Sequence, residues 1–443
     1  MHSLFYELRK LRDDVLDIVR SPAKMNSVLR IPLYSNAIYL MLASGANALL
    51  TFVFWIIAAR LYSTEVVGVA SAIISAASLL ELLSFLGLGY GLVRFLKSSN
   101  NPIKLINSSF TVTGLLSLAV AVIFIIGLGI WSPSLHIIRE NPYYLVIFLF
   151  FVPTVVLDDL TDYVIMAERQ ARFTLIHILL FTIIRLALLI LLASSFHFFG
   201  IFISWSAATF IALLISLFLL LPKAQPGYRL FFTVDRGVLS EALHFSFLNY
   251  LGDLFWATPG LVLPIVIVNR LGAENNAYFY MAWALSNILT AIPGAVAISL
   301  LAEGAYDEEK LKNHVRRSLK IISILLTPVV VLLWFLANRF LLFYGGLYAE
   351  NGTILLRWLT IAAFPLSINT IYFSIKRVQK KVKPIVLLGT SMAVIVLLMS
   401  YLLLPRLGIN GVGVAWFAGQ SVIALIAIVW DMRRWVFGSR HNH

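Results

Sequence analysis

A chain of 443 residues has the length of two or three water-soluble domains, yet 60% of it is hydrophobic and only 12% is charged, against about half and a quarter in a soluble domain. A protein core cannot absorb so much apolar surface, so lipid must cover much of it. The absence of cysteine excludes disulfides, zinc–thiolate sites and thiol nucleophiles, and the net charge of +13 points to nucleic acid or to anionic membrane, depending on where the charges fall.

Residues 1–33 are not a signal peptide, because FYELRKLRDDVLDIV is charged throughout and has no apolar run. Leu4, Leu8, Leu11, Val15 and Ile18 recur at helical steps and form one apolar face. With Arg9, Lys10 and Arg12 beside it, this segment either lies on a membrane surface or packs on the body of the protein.

From residue 34 onward, twelve stretches are long and apolar enough to cross a bilayer as helices. They run approximately over 35–60, 65–94, 108–131, 143–167, 172–194 and 197–221, then 241–268, 273–301, 317–337, 354–375, 384–404 and 410–432. The first six make one bundle (34–222) and the second six another (241–435). The linker 223–240 carries Pro226 and Gly227, with Pro222 just before it, and a short tail follows at 436–443.

With this count, 27 of the 34 lysines and arginines fall on the side that holds both termini, six fall on the other, and Arg185 lies within a span. The positive-inside rule therefore places both termini in the cytoplasm. The same asymmetry explains the net charge by contact with anionic lipid headgroups, without nucleic acid.

The two halves carry a weak internal repeat. AARLYSTEVVGVASAIISAASLLELLSFLGLG leaves span one, passes Arg60-Leu61, reaches Glu65 and enters a helix rich in small residues. VNRLGAENNAYFYMAWALSNILTAIPGAV does the same after span seven with Arg270-Leu271 and Glu274. Spans one and seven start on the same side, so the halves are expected to be related by a pseudo-two-fold axis along the membrane normal, with a central cavity between them. The expected fold is thus all-α and integral to the membrane.

These segments resemble a known family. ARLYSTEVVGVASAIISAASLLELLSFLGLGYGLVRFL is similar to the first hairpin of the polysaccharide and O-antigen flippases. That family belongs to the multidrug, oligosaccharidyl-lipid and polysaccharide exporter superfamily, which includes the multidrug-and-toxin exporters and the peptidoglycan lipid flippase. Thr64-Glu65 with Gly68 fill the family's turn, and Leu86-Gly87-Leu88-Gly89 with Arg94 close its helix. GVLSEALHFSFLNYLGD and FYGGLYAENGTILLRWL resemble the start of the family's second half and the stretch before span ten. Relatives often carry a proline early in span seven; here Phe245-Ser246-Phe247-Leu248 lacks it, and Pro259 and Pro264 come later.

The resemblance implies a transporter in the cell membrane, not an enzyme. It would flip lipid-linked polysaccharide or lipopolysaccharide precursors from the inner to the outer leaflet by alternating access. The cargo would be a polyprenyl- or dolichyl-phosphate-linked glycan, and a glycan polymerase or glycosyltransferases would be its working partners.

Ionisable groups at the bilayer midplane are costly and mark functional sites by default. Glu81, Asp158, Asp159 and Asp253 reach that depth, with Asp162 nearer the inside surface. They are the candidates for H+ or Na+ coupling; no cofactor or metal is otherwise expected. For Asp253, a helix broken between Gly252 and Pro259-Gly260 would set free carbonyls beside the carboxylate.

Arg185 either forms a salt bridge with Asp158 or Asp159 across the hairpin that turns near Arg169, or grips a cargo phosphate, which guanidinium suits by geometry. Asn47, Asn287 and Gln420 lie at similar depth, as substrate contacts or as interhelical bonds. Four midplane carboxylates against one arginine oppose an anionic cargo. Either the cationic contacts lie at the inside mouth, at Arg94, Lys97, Arg172 and Arg236, or the cargo is cationic, as for a cation-coupled multidrug exporter of the same architecture. A membrane-embedded glycan polymerase or glycosyltransferase is disfavoured, because no large outside loop and no HExxH, Walker or GxSxG motif is present.

Overall fold

The computed structural model describes residues 32–193, 199–306 and 311–432. The amphipathic pattern of residues 4–18, Lys310, Trp435 and the tail 436–443 lie outside the described residues. All twelve expected crossings are present, as eleven long apolar helices and one bent pair, and the described residues contain no strand. The chain is a multi-pass membrane protein.

In order, the crossings are α1 (Pro32–Leu61), α2 (Thr64–Phe85), α3 (Pro102–Ile126), α4 (Pro142–Ala167), α5 (Ala171–Leu192) and α6 (Gly200–Ala224). The second set is α7 (Arg236–Leu271), α8 (Ala273–Leu301), α9 (Leu311–Phe335), α10 (Gly346–Ile361 and Ala363–Val378, bent by 40°), α11 (Val382–Leu407) and α12 (Ile409–Trp430). Their ends follow local chemistry. Ser63 caps α2 through the Val66 N–H, and Asn101 and Asn141 cap α3 and α4. A proline in the first turn of each of the latter two sits where no N–H is needed.

Helix pairing repeats between the halves. α1 packs on α5 as α7 packs on α11, α5 on α6 as α11 on α12, α2 on α3 as α8 on α9, and α4 on α6 as α10 on α12. A six-helix offset relates every pair, which is the pattern of two parallel repeats. Between the halves, α2 lies against both α7 and α8. Lipid offers no apolar contrast to drive such packing, so small side chains that admit close approach take over. The buried face of α2 carries Gly68, Ala70, Ser71, Ala72, Ser75, Ala76 and Ala77.

The stretch 65–94, expected as one crossing, is divided. Leu86 and Gly87 both adopt positive φ (51° and 73°), α2 stops, and a short helix Leu88–Phe95 continues at a new angle against α4 and α7. A Cβ on Gly87 would lie 2.8 Å from that of Tyr250, so both the backbone and the space require glycine. α7 departs from expectation in the opposite sense, because it continues as one helix through Pro259 and Pro264. The Thr258 hydroxyl donates to the Leu254 carbonyl at 2.6 Å. The broken-helix ion site expected beside Asp253 is therefore not built.

The linker between the halves is an extended strap. The N–H groups of Phe231, Thr233 and Asp235 donate to side chains of Asn107, Thr111 and Ser108 on α3. The alternate residues Leu230, Phe232 and Val234 face outward. Backbone that nears the hydrocarbon without helical bonds must find partners in the protein, and the buried polar face of α3 supplies them.

Candidate functional site

Both termini of the described chain and the basic loops share one end of the molecule; here it is called the basic end. At the opposite end the halves are sealed together. The start of α2 meets the start of α8 so closely that a Cβ on Gly68 would fall 1.8 Å from the Ala273 carbonyl oxygen. Asn276 donates to the Gly68 carbonyl at 2.8 Å, and Thr64 donates to Glu274 at 3.3 Å. Arg60 donates to the Leu342 and Phe343 carbonyls, and Ser134 and Trp131 bond Val268 and Asn269. The repeat-related turns after α1 and α7 thus meet each other, as elements beside a two-fold axis should.

The basic end is sealed on one flank only. There Tyr250 on α7 donates to the Leu82 and Leu83 carbonyls at 2.8 and 3.2 Å, and Gly91 lies under Ala242. On the other flank, α1 and α8 meet around Trp55 and Tyr280, whose ring centroids are 4.9 Å apart. Beyond that contact α1 packs mainly on α5 and not on α8, and Met41, Leu42, Leu49 and Ile298 are exposed.

Between the halves lies a cavity of about 490 Å³, lined by Ser75 and Ser78 of α2, Trp256 of α7, Tyr280, Trp283 and Asn287 of α8, and Trp416 of α12, among others. A second chamber of about 260 Å³ shares Trp256, Gly294 and Thr370 with it and extends toward the basic end, where Asp253 and Arg377 line it. The larger chamber has no charged lining residue, and Arg377 is the one cation among the lining residues of the two.

The ionisable groups gather on the basic-end side of this cavity. Glu81 follows Ser75 and Ser78 along α2 and lies next to Asp159 of α4. Two carboxylates held side by side repel unless one of them carries a proton. His177 of α5 approaches Asp158 at 3.0 Å through Nε2 and Asp162 at 3.3 Å through Nδ1. These are close ionic contacts rather than well-aligned hydrogen bonds. Tyr163, one turn from Asp159, packs edge-on against Tyr90 of the short helix, with ring centroids 5.8 Å apart. The Tyr90 hydroxyl donates to Asp253 Oδ2, and Arg377 donates to Asp253 Oδ1 at 2.7 Å. A polar chain therefore crosses from α5 in the first half to α10 in the second.

All four midplane carboxylates belong to this chain. Asn287 lines the large cavity. Arg185 stands apart from it and pairs with no carboxylate. The hairpin register explains this: it sets Asp162 opposite His177, which leaves Arg185 about 6 Å beyond the level of Asp158 at 1.5 Å per residue. Arg185 is 1% exposed, donates to Thr51 at 3.0 Å, and lies over the rings of Trp205, Phe54 and Phe181 at 4.2–4.6 Å. The expected Arg185 salt bridge is thus replaced by an aromatic cage. It lines neither chamber.

Gln420 is buried and bonded to Asn369, joining α12 to α10. Asn47 is exposed on α1 and accepts from Thr51. Arg94, Arg172 and Arg236 are exposed at the basic end, where Arg172 lies over the Phe173 ring and Lys97 pairs with Glu168. Sequence reasoning missed His177, Tyr90, Tyr163 and Arg377. His177 is itself an ionisable residue inside a span. Arg377 falls in a basic run just past the expected end of span ten at 375, but α10 stays helical to Val378 and sets it beside Asp253.

A family model described as polysaccharide biosynthesis protein matches residues 57–351. No curated protein matches. Among solved structures, the chain is similar to the lipid II flippase MurJ in an inward closed conformation, with a TM-score of 0.74 and 14% identity over 89% of this chain and 87% of that one. It is also similar to an inward-facing multidrug resistance transporter of the MATE family in the MOP superfamily, with a TM-score of 0.67 and 15% identity over 88% and 94% of the two chains. An outward-facing MATE transporter matches with a TM-score of 0.62 at 16% identity, over 91% and 96% of the two chains. At these identities the likeness is one of fold.

Proposed function

The chain belongs to the polysaccharide biosynthesis protein family, and from that membership and the shape of the cavity we propose that it flips a lipid-linked oligosaccharide or polysaccharide precursor across the cytoplasmic membrane. The observation that carries this proposal is the one-sided opening. The halves are closed at one end and along the α2–α7 flank, while on the other flank α1, beyond the Trp55–Tyr280 contact, packs mainly on α5 and not on α8. A lipid-linked cargo needs such a side entrance, because its headgroup must enter a polar cavity while its hydrocarbon chain stays in the bilayer.

In this reading the basic end is cytoplasmic, both termini lie there, and the cargo is a glycan on a polyprenyl or dolichyl phosphate. It enters from the inner leaflet, the seal between α2 and α8 opens, and the seal at the basic end closes. Glycosyltransferases would supply the cargo and a glycan polymerase would consume it. The chain acts as a transporter and makes or breaks no covalent bond in the glycan.

The acidic wall is not an obstacle to a phosphate, because each midspan carboxylate has a partner. Glu81 and Asp159 adjoin each other and can share one proton, Asp158 faces His177, and Asp253 faces Arg377. The same cluster is where an H+ or Na+ gradient would couple to transport. Two adjacent carboxylates, Glu81 and Asp159, would repel unless a proton sat between them, which favours H+.

A second reading, a cation-coupled multidrug exporter, is supported by the uncharged aromatic lining of the large cavity, with Trp256, Tyr280, Trp283 and Trp416. Deleting the gene and measuring lipids by mass spectrometry separates the two. The flippase reading predicts accumulation of a glycolipid in the inner leaflet. Drug sensitivity with an unchanged glycolipid pool supports the exporter instead.

A further inference from the structure

We propose that the Arg377 guanidinium is the phosphate-binding group of the central cavity, and that the Asp253 carboxylate is its resident occupant, displaced when a phosphate ester enters. The ligand class is a phosphate or diphosphate ester. The proposal rests on the glycolipid reading for the nature of the cargo.

Four observations support this assignment. Arg377 is the one cation among the lining residues of the two chambers. It is reachable, with 41% of its side chain exposed, as is 34% of Asp253. Its hydrogen bond to Asp253 uses one of the guanidinium's five donors. Arginine binds phosphate and carboxylate oxygens alike, so the single Asp253 oxygen on Nη2 stands where one phosphate oxygen would sit, and the remaining donors could take a second. The walls around the pair are Phe373, Ile298, Leu301 and Ile385, and such apolar surroundings strengthen charge pairing over that in water.

Removing Arg377 from Asp253 would strand a carboxylate unless another group held it. Tyr90 does so, with its hydroxyl on the second carboxylate oxygen. Tyr163 from α4 stands behind Tyr90. The Glu81–Asp159 pair lies beyond, and no other titratable side chain lines this chamber. The exchange thus moves one anion off the arginine as another arrives, and Asp253 remains bonded to the opposite half through Tyr90.

The test is binding of inorganic pyrophosphate to the purified full-length chain in detergent, followed by calorimetry in a double-mutant cycle. Asp253→Asn removes the internal competitor and should tighten binding roughly tenfold, whereas Arg377→Gln should weaken it roughly thirtyfold or more. In the Arg377→Gln background, Asp253→Asn should change nothing, because the competition has lost its object. Gel filtration and unfolding midpoints check that each variant is folded. If Arg377→Gln is not, Arg377→Lys keeps the charge without the fork and should bind between wild type and the loss variant.

Equal tightening by Asp253→Asn in both backgrounds would reveal a general field effect and overturn the proposal. So would unchanged or weaker binding in Asp253→Asn. Ethidium binding that weakens in Asp253→Asn and strengthens in Arg377→Gln would mark the pair as a cation site and also overturn it. Pyrophosphate binding does not require transport. A cycle that succeeds while no glycolipid accumulates in the deletion strain would leave the anion site standing and remove the flippase reading. The reverse pattern would do the opposite.

Discussion

Arg185 and Arg377 show how two arginines in one bundle take different tasks. Arg185 is sealed behind Phe54, Phe181 and Trp205, with its charge spread over three aromatic faces instead of a carboxylate. Cation–π contacts of this kind are worth about 0.5–2 kcal/mol each, more when water is excluded. They also depend on the planar guanidinium, which is less hydrated than an ammonium. Arg185→Lys should therefore lower the unfolding midpoint of the detergent-solubilised protein by about 1–2 °C, corresponding to a loss of about 1–2 kcal/mol. An unchanged midpoint would mean that the cage contributes little.

At this scale the sequence was informative about depth and uninformative about direction. Glu81, Asp158, Asp159 and Asp253 were recognisable as midspan carboxylates, and the structure gathers them into one chain. Which residues complete that chain depended on rotation about helix axes and on the register of the α4–α5 hairpin. His177 takes the place opposite Asp162 that an arginine two turns further on cannot reach.

Among the elements, α2 and α8 control the seal at the less basic end. Gly68 has no room for a side chain against the Ala273 carbonyl, and Asn276 spans the contact. Gly68→Leu should force these helices apart. Because the chain has no cysteine, the separation can be read by thiol cross-linking. In a Thr64→Cys, Glu274→Cys background, where the two native side chains touch at 3.3 Å, a short bifunctional reagent should join the pair efficiently. Adding Gly68→Leu should reduce the yield several-fold, and an undiminished yield would show that the seal does not depend on this glycine.

Spans and caps were legible at this level because twenty apolar residues and an Asn-Pro start have few alternatives. The break at Leu86-Gly87 was present in the sequence as two glycines around Leu88, but hydropathy runs straight through it. The strap at 230–234 was read as a plain linker. Its order comes from Asn107, Ser108 and Thr111 on a helix more than a hundred residues away, which no local pattern announces. The unbroken course of α7 shows that two prolines are insufficient evidence for a break.

Across the whole molecule, the repeat that was faint in the sequence is plain in the pairing of helices, since every contact in the first six recurs in the second. The two flanks between the halves nevertheless differ. α2 and α7 are zipped along their length, while the equivalent α8 and α1 touch near one end. That departure from symmetry creates a side entrance, and the polar chain from His177 to Arg377 lies beside the space it opens. In the proposed reading, phosphate binding at Arg377, proton exchange at Glu81 and Asp159 and closure of the flank would be events within one connected site.

The most direct test is transport by the purified chain in liposomes carrying a fluorescent glycan on a polyprenyl diphosphate, with the exposed label erased by dithionite. The account predicts faster passage between leaflets than in protein-free vesicles, and loss of that gain with Arg377→Gln. Passage no faster than in empty vesicles, in preparations that do move a cationic dye, would contradict it.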